Sequence, residues 1–379
     1  MENASQNNAE KDPSDQAIGR RRDGQATKCC VQLSGRQTLF WSKRSAPMSY
    51  PAIRSTSKRT VHSSARLDQM IGRISCPLLW LLVTLWLALP IRAQTTQDKV
   101  PHVSATTVVP FRTVRDQILK LDLYFPGVPT DGAKLPAVIM IHGGGWSSGD
   151  RSGLAREASM FARHGYVVLV PDYRLSGTAT FPAALQDITA AFSWCLTHAR
   201  EVNVDRSRIG VFGASAGGQL ALLLAFAGQD ADLARVAELP SNAPAVRAVC
   251  SWFGPSDLLA AGSDVRSVSS NTRQLVLQYM GGPPSTRHRH YTMASPVYHV
   301  HPGAPPVLLV HGDSDEVVPV SQSEILAEKL TAEHVPNKFI RVESAGHWFA
   351  RGWFGLRPIT PSTGDVYRAT LAFFDNLLK

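Results

Sequence analysis

The stretch Ile209–Ala227 has the sequence IGVFGASAGGQLALLLAFA and contains a strand pattern, a turn of small residues and a helix pattern in direct succession. Ile209–Phe212 is a short apolar run typical of a buried strand, and the helix is predicted to begin at Ala216. Ser215 lies between them, so we expect this serine on a sharp strand-to-helix turn, where a strained backbone exposes its hydroxyl above a sheet. Ser215 is therefore the candidate nucleophile. The alternative is a small-residue turn that serves only helix–sheet packing.

Short apolar or β-branched runs recur on both sides of this stretch and alternate with helix patterns. The predicted strands are Val103–Phe111, Gln117–Phe125, Ala137–Ile141, Val167–Val170, Ile209–Phe212, Val246–Trp252, Val307–Val310 and Lys338–Val342. The predicted helices are Leu154–Arg163, Ala183–His198, Ala216–Ala227, Ser321–Glu333 and Tyr367–Leu378. Continuous apolar strands suit a parallel sheet that is buried on both faces. The alternation therefore predicts an α/β fold with a mostly parallel central sheet flanked by helices.

Two irregular segments, 230–245 and 255–306, interrupt this alternation. They contain many Gly, Pro and Ser residues and have no clear period, so we expect loops or short helices that cap a site. The histidines of the second segment are expected at the surface; they include His288, His290, His299 and His301.

A glycine-rich loop, HGGGW at His142–Trp146, directly follows a predicted strand. Consecutive glycines let backbone N–H groups approach a ligand that bulkier residues would exclude. Together with the N–H of Ala216 and the positive end of its helix, they can bind a developing oxyanion. We assign this oxyanion hole to Gly144, Gly145 and Ala216, and we expect His142 to anchor the loop rather than to catalyse. A phosphate-binding loop is the alternative, but the chain lacks the Lys-Ser/Thr and Gly-x-Gly-x-x-Gly patterns.

A nucleophilic serine needs a base and an orienting carboxylate, and both are expected after the late strands. HGDSDEVVP at His311–Pro319 follows one such strand, and Asp315 is the candidate acid. Asp313 and Glu316 are the alternatives, as loop-capping or solvated charges. His347, in AGHW after the last predicted strand, is the candidate base.

Together these motifs resemble the α/β-hydrolase superfamily, its hormone-sensitive-lipase-like esterases and, more specifically, the BD-FAE branch of acetylxylan and feruloyl esterases. The resemblance extends from about Leu121 to the C-terminus. It is carried by HGGGW, PDYRL at 171–175, FPAALQD at 181–187, VDRSRIGVFGASAGG at 204–218, HGDSDEVVPVSQSE at 311–324 and AGHWF at 345–349. The hormone-sensitive-lipase pattern usually has an acidic residue where this chain has Ala214, which favours the BD-FAE branch.

The resemblance implies an α/β-hydrolase fold and a triad of Ser215, Asp315 and His347. It also implies a serine esterase or lipase that hydrolyses short-chain or aryl acyl esters through an acyl-enzyme, with acetyl or feruloyl groups on polysaccharide as candidate substrates. It implies no cofactor and no metal. The alternatives are an arylformamidase-type amide hydrolase and a non-catalytic binding protein of the same fold.

An aromatic cluster follows His347 and comprises Trp348, Phe349, Trp353 and Phe354. Its side chains are expected either to line an acyl or aryl pocket or to pack the final loop. Trp146 and Trp348 are the predicted substrate-binding residues.

Residues 1–93 differ in composition from the rest of the chain. Residues 1–69 hold 12 Lys/Arg and 6 Asp/Glu without a sustained apolar period, which predicts a disordered or mis-assigned N-terminal extension. Residues 70–93 combine a short basic start, the apolar run Cys76–Pro90 and a small residue, Ala93, which are the three parts of a signal peptide. We therefore expect translation to begin at Met70 and the protein to be exported, periplasmic or secreted. The alternative is a membrane anchor, although such spans usually need about 20 residues.

The catalytic domain is predicted over residues 94–379, which carry 25 Lys/Arg and 24 Asp/Glu. Of the formal net charge of +9, +8 thus belongs to the front end, so the main body offers no electrostatic case for binding nucleic acid. Membrane contact is expected only if the apolar segment 74–91 is retained. Cys195 and Cys250 fall in a helix pattern and an apolar strand, so we expect two buried thiols rather than a disulfide.

Overall fold

The computed structural model describes residues 103–127, 132–263, 268–349 and 358–379. In this part of the chain eight strands form one sheet, in the order β1-β2-β4-β3-β5-β6-β7-β8. The strands are β1 (Val103–Val114), β2 (Gln117–Pro126), β3 (Leu135–Ile141), β4 (Val167–Pro171), β5 (Val204–Ala214), β6 (Ala248–Trp252), β7 (Val307–Gly312) and β8 (Asn337–Val342). β2 pairs antiparallel with β1 and β4, whereas the strands from β4 to β8 pair in parallel. The predicted mostly parallel α/β sheet is confirmed.

Helices cover both faces of this sheet. In the described ranges they are α1 (Ala155–Arg163), α2 (Ala183–Thr197), α3 (Ala216–Ala227), α4 (Ala231–Ala237), α5 (Leu258–Ser263), α6 (Ser270–Met280), α7 (Pro284–Met293), α8 (Ser321–Ala332) and α9 (Thr363–Leu378). All residues of α3 are buried, which explains its continuous apolar sequence. On one face of the sheet Ile139 and Val211 pack in the cluster that contains α3, and on the other Phe212 packs in the cluster that contains Phe374 of α9.

Most element boundaries lie within three residues of those predicted, and two differ by four or more. β5 begins at Val204 instead of Ile209, because Val204 pairs with Leu135 of β3 beyond a register shift that takes in the polar residues 205–208. α9 begins four residues before the predicted Tyr367. The Ser362 side chain accepts the N–H of Asp365, and the Asp365 carboxylate accepts the Ser362 N–H, so a capping box starts the helix at a polar position that an apolar pattern misses.

The irregular segments contain the short helices that we expected, and we call α5, α6 and α7 the cap. The surface prediction was wrong for His299, which is buried. Its Nδ1 lies 2.7 Å from a carboxylate oxygen of Asp230, and its Nε2 lies 3.1 Å from the carbonyl oxygen of Met293. These partners satisfy both ring nitrogens, so the imidazole can be buried. Of the other predicted surface histidines, His288 is exposed, whereas His290 and His301 are half-buried.

Cys195 and Cys250 are free and buried, as predicted. Burial raises the pKa of the Cys195 thiol to about 12, so it stays protonated and inert near neutral pH.

The predicted extension 1–69 and signal segment 70–93 lie outside the described residues, as do Trp353 and Phe354. Among the helices that the structure describes, none combines the length and hydropathy that a bilayer span requires.

Candidate active site

Ser215 occupies the sharp turn between β5 and α3. Its φ of 56° and ψ of −124° are rarely adopted by residues other than glycine, so the backbone is strained here. The Ser215 N–H donates to the carbonyl oxygen of Trp252 at 2.8 Å, which holds the turn against β6. A Cβ atom on Gly217 would lie 2.1 Å from the carbonyl oxygen of Ile141. The turn therefore fits against β3 only because this position has no side chain.

That contact gives a stability prediction. Gly217→Ala is expected to lower the free energy of unfolding by about 1–3 kcal/mol or more. The reason is that the new methyl group would clash with the backbone of Ile141, which cannot move aside as a flexible side chain could. Gly228→Ala, at the other end of α3, is the matched control: it is in the right-handed helical region with nothing within 4 Å of its Cβ position. Urea unfolding followed by circular dichroism measures both. Equal midpoints for the two variants would contradict the prediction.

Three predicted residues from three loops meet at the carboxyl edge of the sheet. The Ser215 hydroxyl oxygen lies 3.1 Å from Nε2 of His347, and Nδ1 of His347 lies 2.7 Å from Oδ2 of Asp315. Ser215 follows β5, Asp315 follows β7 and His347 follows β8. Parallel strands end at the same edge, which brings these sequence-distant side chains into one hydrogen-bonded row. The arrangement can move a proton from the serine to the imidazole.

The carboxylate of Asp315 is buried and fully engaged. Its Oδ1 accepts the N–H groups of Val317 at 2.8 Å and Val318 at 2.9 Å, which leaves Oδ2 facing His347. Burial alone would raise the pKa of Asp315, but hydrogen bonds from His311, His347 and the Val318 N–H outweigh it and hold the pKa well below its usual range. Asp315 therefore remains ionised beside the imidazole.

The two alternative acids have other surroundings. Asp313 accepts the N–H of Ser344 at 2.9 Å and the hydroxyl of Ser314, so it caps a loop. Glu316 is exposed. Of the three acids, it is Asp315 that the structure brings to His347.

His311 lies behind Asp315, and no role was predicted for it. It is buried, and its Nε2 lies 2.8 Å from the carbonyl oxygen of Val318 and 3.4 Å from Oδ2 of Asp315. Its Nδ1 lies 2.7 Å from the hydroxyl of Ser323, at the start of α8. Because Nε2 faces oxygen acceptors, the N–H belongs there and Nδ1 accepts from the serine. His311 thus supports the loop that carries the acid. The feature of the sequence that could have indicated this role is a histidine within an otherwise apolar strand.

The HGGGW loop follows β3 and passes beside the nucleophile. Gly144 and Gly145 have φ values of 113° and 58°, and a Cβ on Gly144 would lie 2.1 Å from the carbonyl oxygen of Ser148. Within the described ranges, no hydrogen bond occupies the N–H of Gly144, Gly145 or Ala216. These three N–H groups can therefore donate to an oxygen of a bound ligand. Their role in an oxyanion hole stays a prediction. His142 lies behind the loop, where its ring stacks on Tyr173 with centroids 4.3 Å apart.

Trp146 ends the glycine loop and connects it to two other elements. Its indole N–H donates to Oε1 of Gln219 on α3 at 3.0 Å, and its ring stacks on Tyr279 of α6 with centroids 4.5 Å apart. The amide of Gln219 in turn donates to the carbonyl oxygen of Ala294 at 2.7 Å. A buried chain of contacts therefore joins the loop, the nucleophile helix and the cap.

A cavity of about 200 Å³ opens beside Ser215 and His347. Its described lining is mostly apolar and comprises Gly144, Gly145, Trp146, Ser215, Ala216, Pro255, Ala261, Val268, Thr272, Leu275, Val276, Val317, Val318, Gln322, His347 and Trp348. Trp348 leaves 49% of its surface exposed, so it stands at the mouth. Both predicted substrate-binding residues, Trp146 and Trp348, border this cavity. In the part of the chain that the structure describes, no three His, Cys, Asp or Glu residues are grouped so as to hold a metal ion.

Comparison with protein families matches residues 121–330 to the BD-FAE family. Esterase LipC of Mycobacterium tuberculosis is 32% identical over 228 residues, which are 59% of this chain and 54% of LipC. The probable carboxylic ester hydrolase LipM of the same organism is 30% identical over 198 residues, 52% of this chain and 44% of LipM. The chain thus spans about half the length of the curated relatives that it matches.

Solved structures give a similar picture. A truncated form of a carbohydrate esterase from gut microbiota aligns with a TM-score of 0.60 and 25% identity over 73% of this chain and 97% of that chain. Thermogutta terrifontis esterase 2, phosphonylated by sarin, aligns with a TM-score of 0.57 and 23% identity over 73% and 95% of the two chains, a likeness that concerns the fold alone.

Proposed function

The chain belongs to the BD-FAE family, and on that premise we propose that it is a serine esterase that hydrolyses short-chain carboxylic esters through an acyl-enzyme. The observation that carries the proposal is the hydrogen-bonded row of Ser215, His347 and Asp315 beside an apolar cavity. Nucleophile, base and orienting carboxylate are in reach of one another, and a reacting group has room next to them.

In the acylation half, His347 Nε2 removes the Ser215 proton while the hydroxyl oxygen attacks the ester carbonyl carbon. The N–H groups of Gly144, Gly145 and Ala216 stabilise the oxyanion that forms. When the carbon–oxygen bond to the alcohol breaks, the imidazolium returns its proton to the leaving alcohol. Asp315 keeps the imidazole oriented and stabilises its charged form.

In the deacylation half, His347 activates a water molecule that attacks the acyl carbon and releases the acid. The proton then returns from His347 to the Ser215 oxygen, so the enzyme ends as it began. The proton transfers between Ser215 and His347 use groups that already lie within hydrogen-bond distance.

The cavity supports a short acyl group. Its volume of about 200 Å³ is below the roughly 300–1,000 Å³ typical of sites for drug-sized ligands. Its valine and leucine lining suits a chain of a few carbons. Trp348 offers an exposed aromatic surface at the mouth, where the alcohol would lie, and such surfaces suit sugar rings. Acetyl groups on polysaccharide are therefore the substrates that we propose, and a carbohydrate esterase among the structural neighbours agrees with this choice.

We also propose that the protein is exported, because residues 70–93 have the parts of a signal peptide.

Hydrolysis of a ladder of 4-nitrophenyl esters, from acetate to palmitate, tests the activity. We expect kcat/KM to be highest between acetate and butyrate and to fall steeply for longer acyl chains, because the cavity has no room for them. Release of acetate from acetylated xylan tests the polysaccharide substrate. A folded protein that cleaves no ester would refute the proposed function, and cleavage of an N-formyl arylamine instead would assign an arylformamidase.

A further inference from the structure

One wall of the cavity comes from α6 of the cap. Thr272, Leu275 and Val276 line the cavity from this helix, together with Gly144 and Gly145 of the glycine loop. Because Ser215 lines the same cavity, an acyl chain that extends from the serine into it meets the side chains of this helix. The side chains of α6 thus limit the depth of the pocket.

Leu275 lies directly against the oxyanion loop. A Cβ atom on Gly145 would lie 2.7 Å from Cδ1 of Leu275, so the leucine fills the space that a side chain on Gly145 would take. The Gly145 N–H is one of the proposed oxyanion donors, so the ester carbonyl would lie nearby. Leu275 therefore contacts the first carbons of an acyl chain rather than a remote part of the substrate.

α6 is fixed at two points that bracket Leu275 in the sequence. Tyr279 stacks on Trp146 with an interplanar angle of 2°, and the Thr272 hydroxyl donates to the carbonyl oxygen of Val317 at 2.8 Å. The helix therefore bridges the glycine loop and the loop that carries the acid. A longer acyl chain cannot enter by displacing the helix without breaking one of these contacts.

The other aliphatic lining residues are smaller. They are Ala216, Ala261, Val268, Val276, Val317 and Val318, together with Pro255. Leu275 is thus the aliphatic side chain of this lining whose truncation frees the most space. We infer that Leu275 determines the longest acyl chain that the site accepts; this inference rests on the proposed esterase activity.

The test compares kcat/KM for 4-nitrophenyl acetate, butyrate, hexanoate and octanoate in the full chain. Leu275→Ala is expected to raise the hexanoate-to-acetate ratio at least about tenfold, the usual effect of a methylene group in an apolar pocket. Leu275→Phe is expected to lower the butyrate-to-acetate ratio by about the same factor while acetate is still cleaved. Leu277→Ala is the matched control, because this leucine is on the same helix but does not line the cavity.

The outcomes separate the inference from the function on which it rests. Absence of Ser215-dependent ester hydrolysis in the unsubstituted protein would refute the proposed function. Normal hydrolysis with unchanged ratios in Leu275→Ala and Leu275→Phe would overturn the inference alone. An equal shift in Leu277→Ala would also overturn it, because helix displacement would then be the cause. If Leu275→Ala does not fold, Leu275→Val and Leu275→Phe provide the same comparison.

Discussion

Ser215→Ala is expected to reduce kcat for 4-nitrophenyl acetate by on the order of 10⁶-fold, because the variant lacks the atom that forms the acyl bond. The fold should persist. The substitution removes the hydrogen bond from the Ser215 hydroxyl to His347. The backbone contacts that hold the strained turn remain when alanine occupies this position. Kinetics with the same ester and thermal unfolding of the two proteins measure these two effects.

Ser251→Ala serves as the control for this substitution. Ser251 is buried in β6, and in the part of the chain described by the structure its hydroxyl has no hydrogen-bond partner. The control should retain activity and stability. Intact mass after treatment with an organophosphonate gives a second measurement, with one adduct expected in the unsubstituted protein and in Ser251→Ala. Unimpaired turnover or labelling in Ser215→Ala would show that another residue is the nucleophile.

Asp315→Asn has the second largest expected effect, a decrease in kcat of about 10⁴-fold. The N–H groups of Val317 and Val318 both point at Oδ1, so the asparagine must place its oxygen there. Its NH₂ group then faces Nδ1 of His347. That donor favours the tautomer with the proton on Nε2, which can no longer accept the proton of Ser215. Steady-state kinetics across a pH series measures the loss.

Asp313→Asn is the corresponding control, since Asp313 lies in the same loop and accepts the N–H of Ser344 through an oxygen that asparagine retains. We expect it to change kcat less than about tenfold. Similar losses in the two variants would mean that the loop as a whole, and not the carboxylate at 315, supports the reaction.

The sheet and the nucleophile turn could be predicted because their signals are local. An apolar run, a cluster of small residues and the fully buried α3 follow one another without interruption, so the pattern fixed the bounds of α3 at Ala216 and Ala227. The acid and base loops could be placed because each follows a predicted strand. The start of β5 was missed, because its first residues are mostly polar and show no apolar period. There the Asp205 carboxylate accepts hydrogen bonds from the Ser207 N–H and the Arg208 guanidinium.

Contacts across the fold could not be predicted. The partner of Gln219 is the carbonyl oxygen of Ala294, directly after α7 of the cap and 75 positions away, and no pattern near Gln219 indicates it. His299 was expected at the surface for the same reason, because its burial depends on Asp230 at the start of another helix. In both cases a polar side chain finds a buried partner through tertiary structure alone.

The attachment of the cap has an evolutionary consequence. The side chain of Gln219 holds the cap through the carbonyl oxygen of Ala294, and Thr272 of the cap holds the acid loop through the carbonyl oxygen of Val317. Every amino acid offers the same main-chain oxygen, so neither bond depends on the identity of the side chain at position 294 or 317. Neighbouring wall residues can then change by point mutation while the row of Ser215, His347 and Asp315 stays in place. On the proposed function, descendants of such a protein could acquire new substrate preferences while they keep the same chemistry.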